Sequence, residues 1–320
     1  MCSTDGSCNN DGTGVGTDVD ANCPAIHFTP KPVIPSIELV LDRSGSMTTT
    51  DIGGMQRFVA LENALFDATN GAIVKSQAQV YFGEMLYAGD QPNCNDGNPG
   101  SLGVNGFTAP RALNNASVMS TLTMNKPPNG GGTPTGAAID TAATDFATNP
   151  PPAGSPAIML LATDGQPNAC NSNATNDGGR TVDAVTRAFG NHISTFVIGL
   201  QLNDGNAKAY LQSVANAGVG QTMGNAPYYL ANNPQSLVDA FNQIISGAIS
   251  CDLTINMPVD PASAPGATVT LDGTNLTYGT DWSLDADNMT IHILGASCTA
   301  LKTTPNAVVE AVFPCGSVIL

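Results

Sequence analysis

The stretch Asp42-Arg43-Ser44-Gly45-Ser46 sets a carboxylate and two hydroxyls on one short turn. Small oxygen donors grouped in this way suit a hard divalent cation, Mg²⁺ first, with Mn²⁺ or Ca²⁺ as alternatives. Ser and Asp also serve as ordinary turn and capping residues, since their side chains bond readily to nearby backbone N–H groups. The surroundings separate the two readings. Ile37-Glu38-Leu39-Val40-Leu41 precedes the turn and reads as a buried strand. Loops at the carboxyl ends of strands are where α/β sheets bind ligands. Two later stretches end in the same chemistry. One is Gly131-Gly132-Thr133-Pro134-Thr135-Gly136, ahead of a helical segment. The other is Ala162-Thr163-Asp164-Gly165, closing an apolar run that starts at Pro156.

Positioning those three loops requires a sheet, and the chain supplies the pattern for one. Strand-like runs over 36–42, 79–86, 156–162, 193–200 and 227–231 alternate with helical spacing over 56–75, 114–124, 137–147, 181–191, 207–217 and 233–250. Such alternation predicts a mainly parallel, doubly wound sheet with helices on both faces, an α/β, Rossmann-like architecture. After Cys251 the pattern changes to short alternating runs with Asp272-Gly273 as a hairpin turn, which predicts a small all-β module. Residues 1–22 are Gly, Asp, Asn, Thr and Ser with almost nothing apolar, and read as a flexible acidic tether. The expected organisation is tether 1–22, α/β domain 23–250 and disulfide-containing β module 251–320.

In their order and context the three motifs resemble the von Willebrand factor type A (VWA) domain with its metal-ion-dependent adhesion site. The resemblance covers about 36–250. It implies that Ser44, Ser46 and Thr133 give hydroxyl oxygens to the metal, while Asp42 and Asp164 act mainly through water, with Asp164 able to move inward. Neutral hydroxyl ligands leave the ion's charge uncancelled, so an open coordination position attracts a carboxylate of a protein or other macromolecular partner. The polar tether and Cys-containing tail are similar to those of secreted or lipoprotein VWA proteins of myxobacteria. Thr135 is expected to cap the following helix, Met47 to pack within its loop and Arg43 to point sideways into solvent. Because Asp42 lies in a loop motif, Asp42→Ala is expected to remove the metal and leave the fold mostly intact.

Composition narrows the partners. Ten Lys+Arg against 26 Asp+Glu give a net charge of −16, too few cations to neutralise phosphates, so nucleic acid is a poor partner. Eight cysteines without a CxxC motif suggest disulfides and an extracellular or cell-surface setting. The expected pairs are Cys94–Cys170, Cys298–Cys315 and Cys23–Cys251, with Cys2 and Cys8 left in the tether. No signal peptide and no membrane span are visible, and Cys2 could carry a lipid anchor if a targeting segment has been lost. The Gly-rich loop lacks the Gly-Lys-Ser/Thr of a phosphate cradle. His27, His192 and His292 all lie outside the three motifs, so an enzyme, including a metal-assisted hydrolase, fits less well than a binding protein. A VWA subunit of an ATPase-linked, chelatase-like complex is the other alternative, and the cysteines argue against its intracellular setting.

Overall fold

The computed structural model describes residues 25–89, 107–128, 131–168, 174–202, 204–304 and 307–319. The tether and Cys2, Cys8, Cys23, Cys94 and Cys170 lie outside them.

Six strands form the central sheet: β1 (Ser36–Asp42), β2 (Tyr81–Tyr87), β3 (Phe107–Ala112), β4 (Ala157–Thr163), β5 (Ile193–Leu200) and β6 (Tyr229–Ala231). They lie in the order β6-β5-β4-β1-β2-β3. All neighbours are parallel except β3, which runs antiparallel to β2 at the edge. β1 is therefore flanked by parallel partners on both sides. Every one of its residues is buried, including the polar Ser36, Glu38 and Asp42 that interrupt its apolar run.

Helices cover both faces. On one face Ile37, Leu39, Leu41, Phe82 and Leu160 pack with α1 (Arg57–Phe66), α2 (Ala72–Ser76), α3 (Ala116–Asn125) and α7 (Pro234–Ala248). On the other, Val40, Met85 and Leu161 pack with α4 (Thr135–Thr148), α5 (Ala174–Gly190) and α6 (Gly205–Gly218). The strand period of two divides the sheet's side chains between the two cores. α7 starts on a capping box between Asn233 and Ser236 with Pro234 in its first turn, as the sequence suggests.

Three features differ from the sequence expectation. The single helix expected over 56–75 is two, because the Asp67 carboxylate accepts the N–H groups of Thr69 and Asn70 and turns the chain. β3 was hidden by Pro110, which an edge strand tolerates. A hairpin of Thr50–Ile52 with Met55–Gln56 links the first motif to α1, and both glycines of its turn, Gly53 and Gly54, have positive φ.

The chain divides into two compact units. One comprises Pro32–Leu253 with Cys298–Ala307. The other comprises the described residues up to Lys31, Thr254–Ser297 and the described residues from Val308. The second unit holds a four-stranded antiparallel sheet of Ile26–Phe28, Val309–Phe313, Thr268–Leu271 and Thr274–Leu276. Asp272 and Gly273 both take positive φ in the expected hairpin turn. Trp282 and Phe28 pack edge-on against Phe313 in its core. The tail also carries a helix, α8 (Gly295–Thr303), which the alternating pattern did not suggest.

The disulfide expectations Cys298–Cys315 and Cys23–Cys251 are corrected: Cys251 pairs with Cys298. Cys251 follows the end of α7 and Cys298 lies on α8, bringing their Cα atoms to 5.6 Å. That distance suits a bridge that sequence spacing alone could not assign. Cys315 is also disulfide-bonded.

Two buried acids set the electrostatics of the sheet. Glu38 on β1 pairs with Arg111 on β3 at 3.0 Å. Arg111 also pairs with Asp145, donates to the Asn149 carbonyl and stacks 3.8 Å over the Phe146 ring. The pair crosses over Gly83, where a Cβ would collide with Glu38 and Arg111 side-chain atoms at 2.3 and 2.5 Å. Arg111 thus ties the edge strand and α4 to the centre of the sheet. Glu84 is fully buried on β2 and accepts a hydrogen bond from the Thr123 hydroxyl on α3. Burial pushes its carboxyl up to about 8.

Arg111→Ala should destabilise the protein by about 3–5 kcal/mol, because it strands a buried carboxylate. Arg111→Ala with Glu38→Gln should recover part of that loss in urea melts. For Glu84 the folded protein holds its proton to higher pH than the unfolded chain. Stability should therefore fall as pH rises from about 4.5 to about 8. Relative to Glu84→Gln, the loss should be at most about 1.4 kcal/mol per pH unit. Parallel urea titrations of the two proteins across that range would measure it.

Candidate metal-binding site

The site begins where β1 ends. Asp42 is fully buried and both of its oxygens are engaged. Oδ1 accepts the Ser44 backbone N–H at 2.8 Å, and Oδ2 accepts the Thr163 hydroxyl from the end of β4 at 2.7 Å. The first bond folds the chain into a tight turn; the second clamps two strand ends together. Met47, fully buried, roots the turn in the core as expected.

The turn presents two hydroxyls. Ser44 Oγ and Ser46 Oγ lie 3.1 Å apart, and Ser46 donates to Asp164 Oδ1 at 2.8 Å. Thr133 comes in on the second loop. Gly45 N–H donates to the Gly131 carbonyl at 3.1 Å, joining the first and second loops. Thr133 and Asn168 exchange backbone hydrogen bonds at 2.7 and 3.0 Å, joining the second and third. Ser46 and Asp164 join the third to the first. Gly89, after β2, donates to the Gly132 carbonyl at 2.8 Å, and a Cβ there would lie 3.0 Å from the Gly132 nitrogen. The five residues proposed from sequence thus belong to three loops tied pairwise to one another, two at strand ends and the Gly-rich one, contrary to expectation, between α3 and α4.

Two side chains depart from expectation. Thr135 is the first residue of α4 and its hydroxyl pairs with the Tyr87 hydroxyl at 3.1 Å; the cap position belongs to Pro134. Arg43 is buried rather than pointing to solvent, and its Nε donates to the Pro127 carbonyl at 3.2 Å. It holds the segment that leads into the Gly-rich loop. Sequence reasoning also missed Thr163, Tyr87, Asp51 and Arg57. Arg57 carried a usable signal: an arginine opening a helix faces the positive end of the helix dipole and implies carboxylates nearby. Those carboxylates are Asp51, at 2.9 and 3.2 Å from Nε, and Asp164, whose Oδ2 accepts from the guanidinium at 2.8 Å.

Burial pushes the Asp42 carboxyl up to about 7, and the adjacent Asp164 carboxylate adds to the rise. Asp42 is fully buried beside Asp164, whose own carboxylate is paired with Arg57. Among the described residues no group of three or more His, Cys, Asp or Glu is placed to hold a metal. The candidate donors are hydroxyls backed by two carboxylates, an all-oxygen set that fits Mg²⁺, Mn²⁺ or Ca²⁺ and does not suit a soft metal.

This mostly parallel α/β sheet, with a motif loop at the carboxyl end of its central strand, defines a class. The model of the von Willebrand factor type A domain matches residues 36–243, well over half of the chain, and the chain belongs to that family. No curated protein matches it. Among solved structures, the pilus adhesin SpaC from Lactobacillus rhamnosus GG in its open conformation is similar with a TM-score of 0.52 and 15% identity. The match covers 89% of this chain and 39% of SpaC. A second form of SpaC gives 0.50 and 17%, over 89% and 40% of the two chains. BatB from Bacteroides thetaiotaomicron gives 0.45 and 19%, over 67% of this chain and 98% of its own. The chain therefore spans about two fifths of SpaC.

The bonds of Asp42 change one expectation. Asp42→Ala would leave the Ser44 N–H and the Thr163 hydroxyl without their buried acceptor, at about 1–3 kcal/mol for each unsatisfied donor. Asp42→Asn keeps the shape and removes the buried charge. In EDTA above pH 7, urea melts should show Asp42→Ala clearly less stable than wild type and Asp42→Asn equal to it or more stable.

Proposed function

We propose that the chain is a metal-dependent binding module, not an enzyme. Ser44, Ser46 and Thr133 would offer hydroxyl oxygens to a divalent cation, Mg²⁺ or alternatively Mn²⁺ or Ca²⁺. Asp42 and Asp164 would orient those hydroxyls and the ion's waters. The bound ion would supply a positive centre with an open position, and the partner would supply a carboxylate from a protein or other macromolecule. The observation that carries this reading is the contact chain Ser44–Ser46–Asp164 set beside buried Asp42.

Charge supports the reading. A chain of net charge −16 repels an acidic partner at long range, so a carboxylate contact needs a local cation. Catalysis finds less support. His192 immediately precedes β5, at the amino end of the sheet, opposite the motif loops. The Cys251–Cys298 bridge favours an oxidising, extracellular setting over a cytosolic chelatase-like complex. No helix among the described residues is long and apolar enough to cross a membrane. The pilus adhesin SpaC is an analogy of fold only.

The test is a pull-down by the purified chain from its extracellular milieu, run in Mg²⁺, in EDTA and with Asp42→Asn. Capture should require Mg²⁺ and the aspartate, Mn²⁺ should restore it after chelation, and Thr133→Ala should weaken it by about 1–3 kcal/mol. Capture unchanged in EDTA and by Asp42→Asn would mean that the partner uses another surface.

A further inference from the structure

Arg57, the first residue of α1, is a cation placed between Asp51 and Asp164. Its guanidinium is mostly enclosed, with 14% of the side chain exposed. It holds Asp51 through Nε and a second nitrogen, and holds Asp164 Oδ2 at 2.8 Å through the third. The other Asp164 oxygen accepts from Ser46. Asp51 is braced in turn, because Gln201 at the end of β5 donates to its carbonyl at 2.7 Å. A continuous path runs Gln201–Asp51–Arg57–Asp164–Ser46–Ser44, and each link is a hydrogen bond or ion pair.

We propose that Arg57 is a positioning residue that sets the charge of the cation site, holding Asp164 neutralised and away from the ion so that the ion keeps its positive charge for an anionic partner. This rests on the metal-binding reading of the loops. A free Asp164 could swing onto the ion, strengthening the ion's hold and cancelling part of the charge offered to a ligand. With Arg57 on one oxygen and Ser46 on the other, Asp164 is committed on both sides. The nearby positive charge also weakens cation binding directly. Arg57 therefore trades metal affinity for ligand affinity, two effects of opposite sign. Asp51 acts through Arg57 and contributes negative charge of its own, so its loss should weaken the cation.

The direct test is titration of Mn²⁺ into the full chain, with free Mn²⁺ followed by electron paramagnetic resonance. Wild type, Arg57→Gln, Arg57→Lys and Asp51→Asn are compared, with circular dichroism confirming the fold of each. Arg57→Gln should bind Mn²⁺ about tenfold tighter. Arg57→Lys should stay close to wild type, and Asp51→Asn should bind more weakly. At equal Mn²⁺ loading, Arg57→Gln should broaden the carboxyl ¹³C resonance of added acetate less than wild type does. A merely structural Arg57 would make Arg57→Gln and Asp51→Asn lose Mn²⁺ affinity together. That result, or equal affinity in Arg57→Gln and wild type, overturns the proposal. Failure of both wild type and Arg57→Gln to bind Mn²⁺ overturns the metal reading itself.

Discussion

The site depends on one buried carboxylate. Asp42 sits at the end of the central strand with no exposure, and its two oxygens fix two different things. One shapes the Ser44 turn and the other locks the neighbouring strand end through Thr163. These bonds act together with the Ser46–Asp164 contact to fix the hydroxyls of Ser44 and Ser46 against the loop that carries Asp164. The expense is a carboxyl driven up to about 7 by burial and by the acid beside it. On the proposed reading, a divalent cation held by the hydroxyls would offset that buried charge.

The sheet supplies the precision. β1 is paired in parallel on both sides, and its register sets Asp42 opposite Tyr87 on one neighbour and Leu41 opposite Ala162 on the other. Three carboxyl ends therefore finish at one level. Slippage of a strand by one residue would exchange the two helical cores, so the apolar alternation that stabilises the fold also sets the height of the loops. Arg111 serves the same end from the sheet's edge by tying β3 and α4 to Glu38. The loop bonds Gly45–Gly131, Thr133–Asn168 and Ser46–Asp164 then close the arrangement.

Much of this was legible in the sequence because it lies in local pattern. The apolar run 36–42, the helix opening at Asn233-Pro234 and the Asp272-Gly273 turn each announce their structure within a few residues. The Asp42 turn and the end of β4 just before Asp164 announce themselves for the same reason. What stayed hidden depends on partners distant in the chain. Thr163 matters because Asp42 lies across a strand boundary, 121 residues away. Asp164 meets Arg57 from 107 residues off, and the Cys251–Cys298 pairing depends on where α8 falls. Arg43 read as a solvent-facing charge because the Pro127 carbonyl that receives it belongs to a different loop. β3 was obscured by Pro110, whose edge position only the assembled sheet reveals.

The most direct measurement of the central claim is an anomalous difference map from crystals of the full chain grown with Mn²⁺. The expected result is a strong peak bonded to the hydroxyl oxygens of Ser44, Ser46 and Thr133, with Asp42 hydrogen-bonded behind it and at least one position open to solvent. Occupied Mn²⁺ sites elsewhere on the chain, with no peak among these three loops, would contradict it.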